Sequence, residues 1–375
     1  MIDTSKHVWL ATASAGLEGV VKRELLQLGF EDAKAELGCV RFTADYAGAF
    51  RACMWLGCAD RVLMVVSEGK CETFEELFQL VRRAPWEEIL PRDAKIPVSG
   101  RCARSKLMSV RDCQAITKKA IVDKMMSAFH TRMLPESGAR FQVDVALHGD
   151  IARVTLDACG DALNRRGYRT WNGEAPLRET MAAALVRMSA WREGQPLHDP
   201  CCGTGTLLIE AAFRAARRAP GLARAFDMES WPYVDARAVQ SIREDAKAQY
   251  DPSRIPAISG SDVNPEALEL CRRHIRQAGL EGKIKVYQKD LRDLTVEQEA
   301  PCFLCNPPYG ERLGDRKQCE GLYRAFKPLM QRHPGCTMHV ITSHPGFERV
   351  ADMRAVKRTR LYNGRLECEF MRFLG

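Results

Sequence analysis

Several things are scarce or missing in this sequence, and each absence excludes a class of protein. No stretch approaches the roughly 20 apolar residues that a membrane-spanning helix needs, which removes helical membrane proteins. The opening residues, Met1 to Leu10, include Asp3, Lys6 and His7 and lack the uninterrupted apolar core of a secretory signal. Regular cysteine spacing is also missing. The 15 cysteines are scattered through apolar segments, with Cys201 and Cys202 adjacent, whereas disulfide scaffolds are short, secreted and evenly spaced. A cytoplasmic protein with reduced thiols is expected. Neither sign of charge dominates: 56 Lys and Arg against 48 Asp and Glu leave a formal +8, which favours a polyanionic partner without requiring one.

What is present is enough for more than one domain. At 375 residues the chain exceeds what a single hydrophobic core usually serves, and 46% hydrophobic with 28% charged residues is a globular balance that argues against disorder. The first half mixes both periodicities. Val8 to Ala13 reads as a strand, and Gly16 to Leu28 as a helix stopped at Gly29. Helical patterns follow at Asp45 to Leu56, Thr73 to Arg82 and Arg111 to Phe129. Lys95 to Val98 reads as a strand, and Ala139 to Leu147 alternates with a hairpin partner at Asp150 to Asp157. Between them a basic loop is expected to run into a basic helix, carrying Arg101, Arg104, Lys106, Lys118 and Lys119, which suits phosphate contacts with RNA; a solvated helix face is the alternative.

Beyond the polar linker Asn164 to Arg169 the pattern changes. Leu197 to Pro200, Ala257 to Ser261, Lys285 to Gln288, Cys302 to Cys305 and Thr337 to Thr342 are strand-like and separated by helical segments, the signature of a doubly wound parallel sheet. Val356 to Tyr362 and Arg365 to Phe373 then form a hairpin, expected to turn at Asn363-Gly364 in type I′ geometry. An antiparallel pair at this end distinguishes the methyltransferase version of the sheet from the dinucleotide fold.

The chemistry lies at the strand ends. Asp199-Pro200-Cys201-Cys202-Gly203-Thr204-Gly205-Thr206 follows the first strand and opens a helix, so Gly203 and Gly205 let backbone approach a ligand at the helix N-terminus. A pyrophosphate fingerprint would want a glycine where Leu208 stands. An acid ahead of the loop suits a cationic amine-bearing ligand better, such as the methionine part of S-adenosylmethionine. Asp262, ending the second strand before Asn264-Pro265, can accept ribose hydroxyls or cap the next helix. It lies farther from the glycines than the about 20 residues of a compact unit, and the excess, 220–254, is expected to be an insertion near the site. Asp290 could accept an adenine amine, and Leu291 could pack on its ring.

After the fourth strand come Asn306-Pro307-Pro308-Tyr309-Gly310. An exocyclic base amine is a poor nucleophile because its lone pair is delocalised. The Asn306 side-chain oxygen and the Pro307 carbonyl can accept both of its N–H groups and aim the nitrogen, two prolines hold that carbonyl's direction, and Tyr309 offers a stacking face. No cysteine stands where a nucleophile belongs, so Cys201, Cys202 and Cys305 are expected to pack inertly. Cys302 and Cys305 lack a second pair, and no metal is expected.

On these residues the chain resembles bacterial RNA guanine-N2 methyltransferases with an amino-terminal THUMP domain, of the large-subunit ribosomal RNA type. The matching stretches are Arg166-Gly167-Tyr168-Arg169, Ala175 to Ala182, Asp199 to Ala212, Ala219 to Leu222 and Asn306 to Leu313, with a looser likeness in the first half. The resemblance implies a ferredoxin-like piece over 1–43, a THUMP RNA-binding domain over 44–158 and a class I, Rossmann-like α/β methyltransferase with a mixed seven-stranded sheet over 159–375. It also implies S-adenosylmethionine as cofactor and ribosomal RNA as partner. Adenine-N6 methylation, a transfer RNA substrate and a non-catalytic RNA-binding or assembly role are the alternatives.

Overall fold

The computed structural model describes residues 5–169, 177–309 and 315–375. The first half supplies β1 (His7–Thr12), β2 (Lys34–Glu36), β3 (Cys39–Ala44), β4 (Arg61–Lys70), β5 (Val98–Ala103), β6 (Gln142–His148) and β7 (Ile151–Asp157). They make one seven-stranded sheet in the order β2-β3-β1-β4-β7-β6-β5, unbroken from residue 7 to residue 157. Its centre is β4, absent from the sequence reading. The run Arg61-Val62-Leu63-Met64-Val65-Val66 is apolar without alternation because both faces of the strand's first half are covered, and a bulge at Val65/Ser67 shifts its register against β7. The hairpin of β6 and β7 turns on Gly149 and Asp150, both with left-handed φ, which is type I′ chemistry.

The strand expected at Lys95 to Val98 begins at Val98 instead. Lys95 makes only an isolated bridge to Arg140, and β5 pairs in parallel with β6 as far as Ala103. Gly100 permits this: a Cβ there would stand 3.1 Å from Val145 and 3.2 Å from Gln114 of the helix Val110–Ala128. Arg101 therefore belongs to a strand, not to a loop.

The second half supplies β8 (Leu197–Asp199), β9 (Ile258–Asp262), β10 (Ile284–Gln288), β11 (Cys302–Cys305), β12 (Thr337–Thr342), β13 (Lys357–Asn363) and β14 (Leu366–Leu374), in the order β10-β9-β8-β11-β12-β14-β13. The first five are parallel, and β14 runs antiparallel between β12 and β13. The order reverses between β8 and β11, the crevice where open α/β sheets bind ligands. The final turn corrects the type I′ expectation. Its central residues are Gly364 and Arg365, and only Gly364, at φ 66°, is left-handed, which matches a turn with glycine first.

The insertion also lies elsewhere than expected, since its side chains pack on the first half of the chain. Gly221 donates to the Met54 carbonyl at 2.9 Å, and Arg224 holds the carbonyls of Cys159, Asp161 and Ala162. Phe226 meets Phe50 edge-on at 5.6 Å, and Trp231, 2% exposed, stacks on Phe141 at 5.4 Å. Polar groups extend the seam. Glu24 pairs with Arg187 at 2.8 Å while accepting the N–H groups of Gly57 and Cys58, so this buried charge is fully coordinated. One apolar core consequently runs from Trp9 in β1 to Phe370 in β14. No helix among the described residues is long and apolar enough to cross a membrane. Trp231→Ala should cost about 3–5 kcal/mol through the cavity it leaves, seen as a lower urea midpoint for the whole chain.

Candidate functional site

β8 is short and buried on both faces, so the chain leaves it at Asp199 directly into the crevice. The glycine loop closes tightly. Gly205 donates to the Cys202 carbonyl at 2.8 Å, Cys202 donates to Ser261 of β9 at 2.9 Å, and Gly205 takes φ 83° as the helix Thr206–Ala215 begins. A Cβ on Gly205 would stand 2.4 Å from the Cys271 sulfur, so the loop owes its course to that glycine's bareness. Gly203, at φ 49°, meets nothing within 4 Å and faces open space.

A cavity of about 510 Å³ opens over this loop, a volume suited to a cofactor. Asp199, Cys201, Gly203, Thr206 and Asn306 all line it, so the structure brings the first and fourth strand ends together. Asp199 is 1% exposed and accepts one backbone N–H, from Cys201 at 3.0 Å. Burial pushes its carboxyl well above the usual range, and the like charge of Asp262 adds to this. An acid so placed, with no cation among the causes of its shift, fits a ligand that brings a positive charge of its own. A bound S-adenosylmethionine meets that requirement through its ammonium.

Asp262 organises the loop. One carboxylate oxygen accepts Gly203 N–H at 2.8 Å and the other Asn264 N–H at 2.9 Å. It does not cap the next helix; Asn264 does, accepting from Glu266 and Ala267, with Pro265 at the first turn. Glu266 lines the cavity and was missed, although its place in the first turn after an Asn-Pro pair was a usable signal. At the end of β10, Asp290 is engaged by Arg292, which donates from its backbone and guanidinium and lowers the carboxyl pKa. Leu291 requires correction as a ring-packing residue. It is 1% exposed in the core beneath, with no face left for a ligand.

Asn306 follows the fully buried β11. The Tyr309 hydroxyl donates to Asn306 Oδ1, and burial raises the Tyr309 pKa. Tyr323, fully buried and also missed, donates to the Pro308 carbonyl at 2.6 Å and so clamps the turn from behind. Gly310 lies outside the described residues. All fifteen cysteines are unbridged, and burial pushes the thiols of Cys201 and Cys305 well up, leaving them poor nucleophiles. Among the described residues no group of three or more His, Cys, Asp or Glu is arranged to hold a metal.

The basic stretch divides between two layers. Arg101 lies on the open face of the first sheet, paired with Asp144 at 2.9 Å, while Lys118 donates to the Ile96 carbonyl and Glu136 from the helix layer. Lys106 pairs with Glu72, and Lys119 lies 5.9 Å from the Phe78 ring centroid. Arg104 and Lys119 are exposed.

Comparison with known proteins gives three family matches: an RlmL ferredoxin-like domain over residues 9–63, a THUMP domain over 71–157 and an RMKL-like methyltransferase domain over 166–372. YpsC of Bacillus subtilis (strain 168), named as a candidate RNA methyltransferase, is 37% identical over 98% of this chain and 96% of its own length. The ribosomal RNA large subunit methyltransferase K/L of Syntrophotalea carbinolica is 32% identical over 97% of this chain but 53% of its own, so the chain spans about half the length of that relative. Among solved structures, SMU.472, a candidate methyltransferase crystallised with S-adenosylhomocysteine, superposes with a TM-score of 0.95 at 38% identity, covering 100% of this chain and 99% of that one. The two loop glycines should separate in experiment. Gly205→Ala is expected to lower the melting temperature markedly, whereas Gly203→Ala should melt within a few degrees of wild type yet bind S-adenosylhomocysteine at least about tenfold more weakly by calorimetry.

Proposed function

The chain belongs to the RMKL-like methyltransferase family, with a THUMP domain ahead of the methyltransferase domain, and on that premise we propose that it methylates the exocyclic N2 of a guanine in RNA, with 23S ribosomal RNA as substrate. The cofactor is S-adenosylmethionine, in keeping with the S-adenosylhomocysteine held by SMU.472. When bound, it supplies a methyl carbon made electrophilic by the adjoining sulfonium. The observation that carries the reading is the shared wall: Asp199 and Asn306, from neighbouring strands at the reversal point, face one cavity.

Each side chain then has a task. Asp199 takes the positive end of the cofactor's amino acid, and Asp262 keeps the glycine loop in place while offering its remaining lone pairs to ribose. Asp290 is assigned to the adenine amine. Asn306 Oδ1 and the Pro307 carbonyl accept the two N–H groups of the target amine, which aims the nitrogen. An arriving amine takes Asn306 Oδ1 from the Tyr309 hydroxyl and frees the ring to stack on the base. The first half holds RNA through phosphate contacts, with Arg101, Arg104, Lys106, Lys118 and Lys119 as its basic side chains. The assignment divides the chain into 1–43, 44–158 and 159–375.

The Asn-Pro-Pro-Tyr device serves adenine N6 as well as guanine N2, so product analysis decides the base. Asn306→Ala is expected to lower kcat at least about 100-fold while S-adenosylhomocysteine affinity stays within about twofold; equal rates with wild type would discard the mechanism. Mass spectrometry of nucleosides from RNA treated with the wild-type protein should show N2-methylguanosine, and N6-methyladenosine in its place would transfer the assignment to adenine. Arg104→Glu combined with Lys119→Glu should weaken RNA binding and flatten its salt dependence without changing cofactor affinity.

A further inference from the structure

Arg169 ends the linker between the two halves, and its side chain is only 9% exposed. The guanidinium donates to the Leu177 carbonyl at 2.9 Å and to Thr206 Oγ1, and stands 3.5 Å from the Glu179 carboxylate. Its buried Nε has no hydrogen-bond partner among the described residues. Leu177 and Thr206 both form wall of the cofactor cavity, and Arg169 stands behind them.

This arrangement dictates where the Thr206 proton goes. A hydroxyl that accepts from a guanidinium must donate in another direction, and a donor polarised in this way is stronger than an isolated one. Thr206 is also the first residue of a ten-residue helix, whose leading N–H groups carry partial positive charge. Across the loop, Asp199 supplies the opposite sign. The wall thus has an acceptor for an ammonium and a polarised donor for a carboxylate, a match to the two charges of an amino acid.

We propose that Arg169 is a positioning residue for the carboxylate at the amino-acid end of the cofactor, acting through the Thr206 hydroxyl. The proposal rests on the cavity being the S-adenosylmethionine site. It also gives the linker a function: Arg166, three residues earlier, donates to the Gly57 carbonyl of the first half, so the segment that joins the halves sets a cofactor contact as well.

Calorimetry with two ligands tests this. S-Adenosylhomocysteine has both charges, and its decarboxylated analogue keeps only the ammonium. Thr206→Val should weaken S-adenosylhomocysteine about 10- to 100-fold and leave the analogue within about twofold, while Thr206→Ser should behave as wild type. Arg169→Met should reproduce the selective loss, and the Arg169→Met, Thr206→Val double variant should be no weaker than Thr206→Val alone, because the two act in series. Equal loss for both ligands, no loss for either, or additive losses would overturn the proposal. If Arg169→Met does not fold, the Thr206 variants decide it. Wild-type protein that binds neither ligand would instead remove the cofactor reading beneath it.

Discussion

A carboxylate kept out of water without a cation beside it is the constraint around which the second half is arranged. Asp199 sits at the end of a three-residue strand, sealed by its neighbours and facing another acid. Such a group is unfavourable by itself, and the fold does little to relieve it beyond one backbone N–H. The rest of the site follows from keeping that position open. Gly205 lets the chain turn over Cys271, Asp262 ties Gly203 to the next strand, and the helix from Thr206 points its N-terminus into the same space. A ligand that supplies the missing charge completes the electrostatics that the protein leaves unfinished.

The second determinant is the seam between the halves. Side chains of the insertion, a stacked tryptophan and coordinated ion pairs make it part of one core, and an interface of that kind opposes the relative motion that separate domains otherwise show. Buried charges are a poor source of stability, but they discriminate between registers: Glu24, Arg187, Arg166 and Glu210 have their partners in one arrangement of the halves.

Elements whose periodicity reports one-sided burial were legible in the sequence. The five parallel strands and the helices of both halves fell within a few residues of their observed places, as did the three strand ends that carry Asp199, Asp262 and Asn306. What escaped did so for identifiable reasons. β4 is covered on both faces over its first half and so has no alternation to detect, and β5 depends on a glycine that makes sense only once Val145 and Gln114 are beside it. Leu291 looked like a ligand-facing residue because its strand end is shared with Asp290, yet a short helical turn directs it into the core. Arg101 and Lys118 are close in sequence but separated by the thickness of a sheet. Tyr323 and Arg169 act on residues far along the chain, and no local pattern marks such a contact.

The continuous core has a further consequence for how a long polyanion would be chosen. Two parts that hold one separation turn that separation into a gauge. A strand anchored on the first half presents to the crevice only the nucleotide at the matching reach, whatever its neighbours in sequence. Selection by span needs few base-specific contacts, and it makes the residues of the seam, remote from any chemistry, determinants of which position is reached.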